Sequence, residues 1–234
     1  PNAITIVADP AFDLEDNRVS KKATQSKDTE VALRSLERGG MAFPRLPLSK
    51  TEAENIINLA TKANYQCFDY LGFDAELKKV LGSLTKVKIA HFATHGVSKT
   101  FQNGLSGIVL SLVDQSGNYI DGILSVDAIT NLNINTELVT LSACETALGE
   151  EFAGEGPIGI ARAFMYAGAK RAVVSLWKVD DEATSKLMTK FYSYVFTGHS
   201  YSDALRLAQI DIRKNPKWRH PFFWGAFIIQ GEYK

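Results

Sequence analysis

A cysteine and a histidine each follow a short run of strand-forming residues, and this pairing is the first sign of chemistry in the sequence. Cys144 comes directly after L-V-T-L-S-A at 138–143, and three glycines lie beyond it at positions 149, 154 and 156. His95 comes directly after V-K-I-A-H-F-A-T at 87–94, and Gly96 follows it. Ligands of open α/β sheets bind at the carboxyl ends of the strands. If these two strands are parallel neighbours, His95 and Cys144 lie side by side at that edge.

A thiol beside an imidazole can carry out acyl transfer. The thiol is a weak nucleophile until it loses its proton, which a neighbouring imidazole can accept and later give to a leaving amine. The tetrahedral oxyanion also needs hydrogen-bond donors, and the backbone N–H groups of Gly96 and Cys144 are the candidates. Because no third side chain of a triad is evident near either residue, the sequence predicts a His95–Cys144 dyad.

Several of these residues also have a purely structural interpretation. A cysteine in a buried strand is commonly a small apolar core residue, and we interpret Cys67 in this way. His91 lies within the strand that leads to His95, so we expect it to be a packed, hydrogen-bonded core residue. Two histidines and one thiol lack the spacing of metal ligands, and the glycine-rich stretch lacks the Gly-Lys-Ser/Thr of a phosphate loop. The sequence therefore predicts neither a metal nor a cofactor.

The composition is that of a globular protein without a strongly charged face. The chain has 234 residues, 45% of them hydrophobic, and 26 Lys+Arg balance 26 Asp+Glu. A nucleic-acid-binding surface would need a basic excess, no apolar run reaches the ~20 residues of a membrane span, and no signal peptide is evident. Two cysteines do not make a disulfide scaffold, so we expect a reducing, cytoplasmic environment. The chain begins at Pro1 rather than Met, which we interpret as a piece of a longer protein.

The elements that must position the pair alternate between strands and helices. Apolar runs at 4–8, 65–70, 87–96, 138–143, 172–177 and 223–229 predict strands. Helices are predicted to begin at Ser49 or Thr51, at Asp74, at Ser125 and at Pro157, and to run over 184–198 and 202–214. A hairpin is predicted over 97–124. The alternation predicts an α/β fold, with a mostly parallel sheet covered by helices on both faces, in a single domain over 1–234. The polar stretch 11–48 is predicted to be a loop or insertion, or to carry a helix near 29–38.

Five motifs, in this order, resemble the CHAT domain family. They are A-H-F-A-T-H-G at 90–96, L-S-A-C-E-T at 141–146, G-E-G at 154–156 with A-R-A-F at 161–164, S-L-W-K-V at 175–179, and H-P-F-F-W-G-A-F at 220–227. The resemblance covers nearly the whole chain. It implies a caspase-like fold and a cysteine peptidase, related to separase, that cleaves a protein substrate through His95 and Cys144. It also implies a C-terminal domain behind an N-terminal TPR or other sensor region.

The resemblance to separase extends to the pocket for the P1 side chain. The stretch L-W-K-V-D-D at 176–181 is similar to a separase strand end, and Asp181 falls where separase carries an acid for a P1 arginine. Ser142 would line the same pocket, at a position where metacaspases that cut after basic residues have an acid. If Asp181 is instead only a helix N-cap, P1 would be apolar or loosely defined. An inactive caspase-like scaffold and a small-molecule hydrolase are the alternative functions.

Overall fold

Strands and helices alternate along the chain in a computed structural model that describes residues 2–20, 43–97, 106–142 and 156–232. The strands are β1 Ala3–Ala8, β2 Gln66–Leu71, β3 Ile89–Ala93, β4 Gly96–Val97, β5 Gly107–Val109, β6 Ile123–Ser125, β7 Leu138–Leu141, β8 Arg171–Ser175 and β9 Phe227–Gly231. The helices are α1 Pro47–Lys62, α2 Leu77–Leu84, α3 Val126–Thr130, α4 Gly156–Tyr166, α5 Asp181–Phe196 and α6 Tyr201–Lys214.

The main sheet has the strand order β2-β1-β3-β7-β8-β9. All its neighbouring strands run parallel except β8 and β9, which are antiparallel. Successive side chains of a strand point to opposite faces, and both faces are buried here. Ile4 and Ile6 pack into a core with α1, α5 and α6, whereas Val7 packs into a second core with α2, α3 and α4. Burial on both faces explains why the strands are continuous apolar runs. The predicted α/β fold is confirmed.

The predicted hairpin is confirmed, because β5 and β6 pair antiparallel and Val113 forms an antiparallel bridge with Tyr119 across a turn; β4 adds to it to make a second sheet of order β4-β5-β6. Gly122 lets two backbones of this sheet approach closely. The Leu110 N–H donates to the Gly122 carbonyl at 2.6 Å, and a Cβ on Gly122 would lie 2.1 Å from the Ser111 oxygen. Strand β3 ends at Ala93, and His95 lies in the short link between the two sheets rather than at the end of the strand.

Three further element boundaries differ from the prediction. Helix α1 begins at Pro47, before Ser49, because proline is favoured in the first turn, where its missing N–H costs nothing. Asp74 ends a 3₁₀ turn, and α2 begins only at Leu77. Strand β9 begins at Phe227, since residues 221–223 form another 3₁₀ turn.

Other start and stop signals are confirmed. The Ser125 hydroxyl caps α3 by accepting from the Ala128 N–H at 3.1 Å. Gly168 and Gly198 follow the ends of α4 and α5 with φ of +116° and +93°, a conformation that residues with a side chain rarely adopt. The helix suggested near 29–38 lies outside the described residues.

Candidate active site

The strands that lead to His95 and Cys144 are neighbours. Strands β3 and β7 pair in parallel with Phe92 opposite Leu141, and the Ser142 N–H donates to the Phe92 carbonyl at 2.9 Å. His95 and Cys144 each come three residues after that pair. The predicted adjacency of the two strands is therefore confirmed. Cys144 itself and the glycines at 149 and 154 lie outside the described residues.

The His95 ring is buried and oriented by a backbone carbonyl. Its side chain is 1% exposed, and its Nε2 atom lies 2.7 Å from the oxygen of Pro44. A carbonyl oxygen only accepts, so Nε2 carries the proton and donates it. The basic nitrogen of the neutral ring is then Nδ1. The rings of Phe12 and Phe43 pack against the imidazole, with centroids at 5.0 and 5.6 Å.

Sequence reasoning missed the contribution of Pro44 because a main-chain carbonyl has no residue signature. Ion pairs of two arginines with the buried carboxylate of Asp9 hold this stretch in place. Arg45 binds Asp9 in a bidentate manner, with Nε to Oδ1 at 2.8 Å and a terminal nitrogen to Oδ2 at 2.7 Å, and Arg18 binds the same carboxylate at 2.8 Å. Its hydrogen bond to Asp9 raises the pKa of Arg45. Asp9, which follows β1, thus anchors Arg45, the residue after Pro44.

The backbone N–H of Gly96 takes no part in the pairing of β4 with β5. The Val109 N–H donates to the His95 carbonyl at 2.9 Å, so the next opposed pair, Gly96 and Ile108, is a non-hydrogen-bonded pair. The N–H of Gly96 is therefore directed away from β5. This direction is compatible with the predicted donation to an oxyanion.

Ser142 and Asp181 line one pocket, beside the chain that continues toward Cys144. Leu46, Ser49 and Thr184 also line it. The helix cap that the sequence suggested for Asp181 is made by the preceding residue instead, because the Asp180 carboxylate accepts from the Ala183 N–H at 2.9 Å. Asp181 is the first residue of α5.

A buried polar network lies behind this pocket. Glu52 Oε1 accepts from the Ser142 hydroxyl at 2.6 Å and lies 2.9 Å from Nε2 of His91. His91 Nδ1 contacts the Tyr192 hydroxyl at 3.2 Å, and that hydroxyl donates to Thr140 at 2.9 Å. His91 is fully buried, so its predicted core position is confirmed.

Glu52 was not predicted as a site residue, although the sequence contains a signal for it. It occupies the face of α1 that carries Ser49, Ala53 and Ile56, all of which are buried. A carboxylate on a buried helix face needs a hydrogen-bonding or charged partner. Such carboxylates are frequent at functional sites.

The remaining site predictions concern cysteine, metals and membranes. Cys67 is half-buried in β2, and burial raises the pKa of its thiol. Within the four described stretches, no three His, Cys, Asp or Glu side chains come together as metal ligands would. None of the described helices is long and apolar enough to cross a membrane.

Comparison with known families identifies the family of the chain. The sequence pattern of the CHAT domain matches residues 2–232. The chain belongs to the CHAT domain family. Among curated relatives, the mouse protein Tetratricopeptide repeat protein 28 is 26% identical over 199 residues, which is 70% of this CHAT chain. The chain spans only 8% of the length of that relative.

Solved structures share the fold of this CHAT domain. The crystal structure of the Arg-specific cysteine proteinase gingipain R (RgpB) superposes with a TM-score of 0.56 and 10% identity, over 99% of this chain and 46% of that one. A second structure contains RgpB of Porphyromonas gingivalis as a complex of its pro- and mature domains. The Saccharomyces cerevisiae separase–securin complex gives a TM-score of 0.45 at 14% identity, over 99% of this chain and 12% of that one. The superposition on gingipain R confirms the caspase-like α/β architecture that the sequence implied.

Proposed function

We propose that this CHAT domain is a cysteine endopeptidase that cleaves a protein partner, with Cys144 as nucleophile and His95 as general base and acid. The observation that carries the proposal is the orientation of His95. Its Nε2–H is given to the Pro44 carbonyl, so the basic Nδ1 remains the nitrogen for proton transfer. Family membership and the cysteine proteinase named among the structural neighbours support the same reaction class.

The proposed reaction follows from these positions. His95 Nδ1 takes the thiol proton, and the thiolate of Cys144 adds to the scissile carbonyl. The oxyanion accepts hydrogen bonds from the N–H groups of Gly96 and Cys144. Collapse of the intermediate breaks the C–N bond, the amine leaves with the proton from Nδ1, and a thioester remains. Water, deprotonated by His95, then hydrolyses the thioester and restores the thiol.

We also propose that the pocket lined by Ser142 and Asp181 receives the P1 side chain. It lies beside the strand end that leads to the nucleophile, which is where a residue preceding the scissile bond must be held. The relation to a tetratricopeptide repeat protein supports a longer protein in which a TPR region senses a signal and activates the domain. No cofactor enters this mechanism.

Two cysteine variants test the proposal. Cys144→Ala should abolish cleavage of a peptide library while leaving the circular dichroism spectrum unchanged, because it removes one sulfur atom. Cys67→Ala is the matched control and should keep full activity. In the parent chain, iodoacetamide at neutral pH should label Cys144 first, because the raised pKa of Cys67 keeps that thiol protonated.

Proteolysis by a folded Cys144→Ala protein would refute the mechanism. If neither the parent nor the full-length protein cleaved any peptide, and Cys144 reacted no faster than Cys67, the caspase-like scaffold would be the better account.

A further inference from the structure

A groove with basic and apolar walls lies between the end of α6 and the start of β9. The stretch 213–224, R-K-N-P-K-W-R-H-P-F-F-W, contains four Lys or Arg residues and no Asp or Glu, in a chain whose formal charge is zero. No step of the proposed reaction involves this stretch. The side chains that line the groove all come from it, and they are Arg213, Lys214, Pro216, Arg219, Pro221 and Trp224.

Two of the four positive charges are compensated, and two are not. Lys214 and Lys217 each pair with an acidic side chain. Arg213 and Arg219 are exposed, and within the described stretches no carboxylate lies at ion-pair distance from either guanidinium. Arg213 lies in the last turn of α6, where the helix dipole favours a cation, but Arg219 lies beyond the helix. The groove therefore presents two guanidinium groups, each of which can bind a carboxylate through two parallel hydrogen bonds.

The apolar wall of the groove is held in one conformation. Its surface comes from Pro216, Pro221 and Trp224. The Trp224 indole N–H donates to the Arg219 carbonyl at 3.3 Å, and the Trp224 carbonyl accepts from the Gln209 amide at 3.1 Å. Each proline begins a 3₁₀ turn that is capped by the side chain preceding it. A preformed groove loses little conformational entropy when a ligand binds, which favours binding.

The turn that forms this wall also contacts the pocket proposed for P1. The indole N–H of Trp177, which lines that pocket, donates to the Phe222 carbonyl at 3.0 Å. Phe222 lies between Pro221 and Trp224, which line the groove. The pocket and the groove are thus on two sides of one turn, so that one bound polypeptide can contact both.

Acidic protein segments and nucleic acids are the two kinds of polymer that complement a basic groove. Nucleic-acid binding depends on many phosphate contacts along a basic surface, whereas the uncompensated charges here are two arginines and the chain has no basic excess. We infer that the groove docks an acidic segment of the protein substrate, with carboxylates on Arg213 and Arg219 and an apolar side chain on Trp224. The inference deepens the proposed function and rests on it, because it names a class of substrate.

The binding test uses the Cys144→Ala chain and two capped peptides, E-E-F-E-E and its uncharged isostere Q-Q-F-Q-Q. The indole N–H signals of the tryptophans are followed by NMR during each titration. E-E-F-E-E should bind about tenfold more tightly than Q-Q-F-Q-Q at low salt, and the ratio should fall at high salt, because exposed charges are screened. The signal of Trp224 should shift, whereas that of Trp218, which is buried in the core, should not.

Variants of the two arginines test the carboxylate contacts. Arg213→Gln and Arg219→Gln should each weaken E-E-F-E-E binding by about fivefold, the size expected for an exposed charge pair, and leave Q-Q-F-Q-Q unaffected. Arg206→Gln is the matched control, because it removes the same charge from an exposed position of α6 that does not line the groove. It should leave both affinities unchanged.

Three results would overturn the inference. They are equal binding of the two peptides, no binding of either, and a loss of E-E-F-E-E affinity in Arg206→Gln as large as in the groove variants. A single-stranded oligouridylate that shifts the Trp224 signal and binds more tightly than E-E-F-E-E would also overturn it, and would make the groove a nucleic-acid site.

Kinetics separate this inference from the proposed function. In an active enzyme, Arg219→Gln should raise KM for a substrate that carries the acidic block and leave kcat unchanged, because the groove holds the substrate and the transition state equally. If no peptide is cleaved but the expected binding ratios are found, the proposed function is wrong and the groove remains a docking site for acidic segments. If cleavage occurs but the acidic block changes neither binding nor KM, the inference alone is wrong.

Discussion

Two histidines four positions apart in one segment have different surroundings, and these surroundings assign their functions. His91 lies within β3 and is enclosed by Glu52 and Tyr192, so it serves a buried polar network. His95 lies beyond the strand and is held by the Pro44 carbonyl. The alternation of a strand would place both side chains on one face, but β3 ends between them, and only His95 reaches the link to β4.

Substitution of the two histidines should therefore have different effects, one on catalysis and one on stability. His95→Ala should reduce kcat to the level of Cys144→Ala, and the double variant should be no worse than either single variant, because the two residues act as one unit. His91→Ala should instead lower the free energy of unfolding by roughly 3–5 kcal/mol, since it removes the imidazole that lies beside the buried Glu52 carboxylate. Steady-state kinetics and urea denaturation of the three proteins separate these effects. Loss of catalysis in a fully folded His91→Ala protein, with His95→Ala still active, would mean that the dyad is misassigned.

At the scale of elements, the segment between β1 and α1 builds much of the site. Phe12, Phe43 and Pro44 surround the His95 ring, and Leu46 reaches the pocket. The ion pair of Arg45 with Asp9 fixes this segment against the end of β1. Asp9 itself adopts φ +48°, a left-handed conformation that is uncommon for residues other than glycine and that turns the chain sharply out of the sheet.

The Arg45–Asp9 pair offers a test of this arrangement. Arg45→Gln should lower kcat by about tenfold to a hundredfold, because the Pro44 carbonyl would no longer hold the imidazole in one orientation. The free energy of unfolding should fall by only about 1–2 kcal/mol, since Arg18 continues to pair with Asp9. Stopped-assay kinetics and thermal denaturation measure the two quantities. Lys50→Gln is the control, because it breaks an exposed pair with Glu54 on α1, and an equal loss of kcat in this variant would contradict the orienting role of Pro44.

Much of this architecture can be predicted from local sequence, whereas the remainder depends on contacts between residues far apart in the chain. The runs at 4–8 and 138–143 predict strands because burial on both faces requires continuous apolar residues. The parallel pairing of β3 with β7 followed from the alternation of strands and helices. The hairpin of the second sheet was predicted, but its third strand, β4, was missed because it pairs over only two residues and so has no sequence periodicity. The Pro44 carbonyl and the Glu52–His91 contact were missed because both join residues about 40 to 50 positions apart.

At the scale of the whole molecule, the site is assembled from pieces that lie far apart in the chain. The end of β1, the stretch 43–46, the links after β3 and β7, and the start of α5 all contribute to it. Phe12 and Pro44, which lie near the two ends of the segment 11–48, both contact the His95 ring. Under the proposed function, a TPR region acts through these contacts, because a ligand that binds one arrangement more tightly shifts the population toward it.

We therefore expect the 234-residue chain alone to be latent or weakly active. The full-length protein, with its activating partner bound, should show a kcat/KM at least about tenfold higher. A partner that binds a rare active conformer more tightly by about 1.4 kcal/mol raises the ratio of active to inactive conformers by about that factor. Hydrogen exchange gives the structural measurement: amides from 43 to 52 should change protection on activation, whereas those of β8, whose residues are all buried in the main sheet, should not. An isolated chain that turns over substrate as fast as the activated full-length protein would exclude control through this segment. Equal activation with unchanged exchange at 43–52 would place the control elsewhere in the domain.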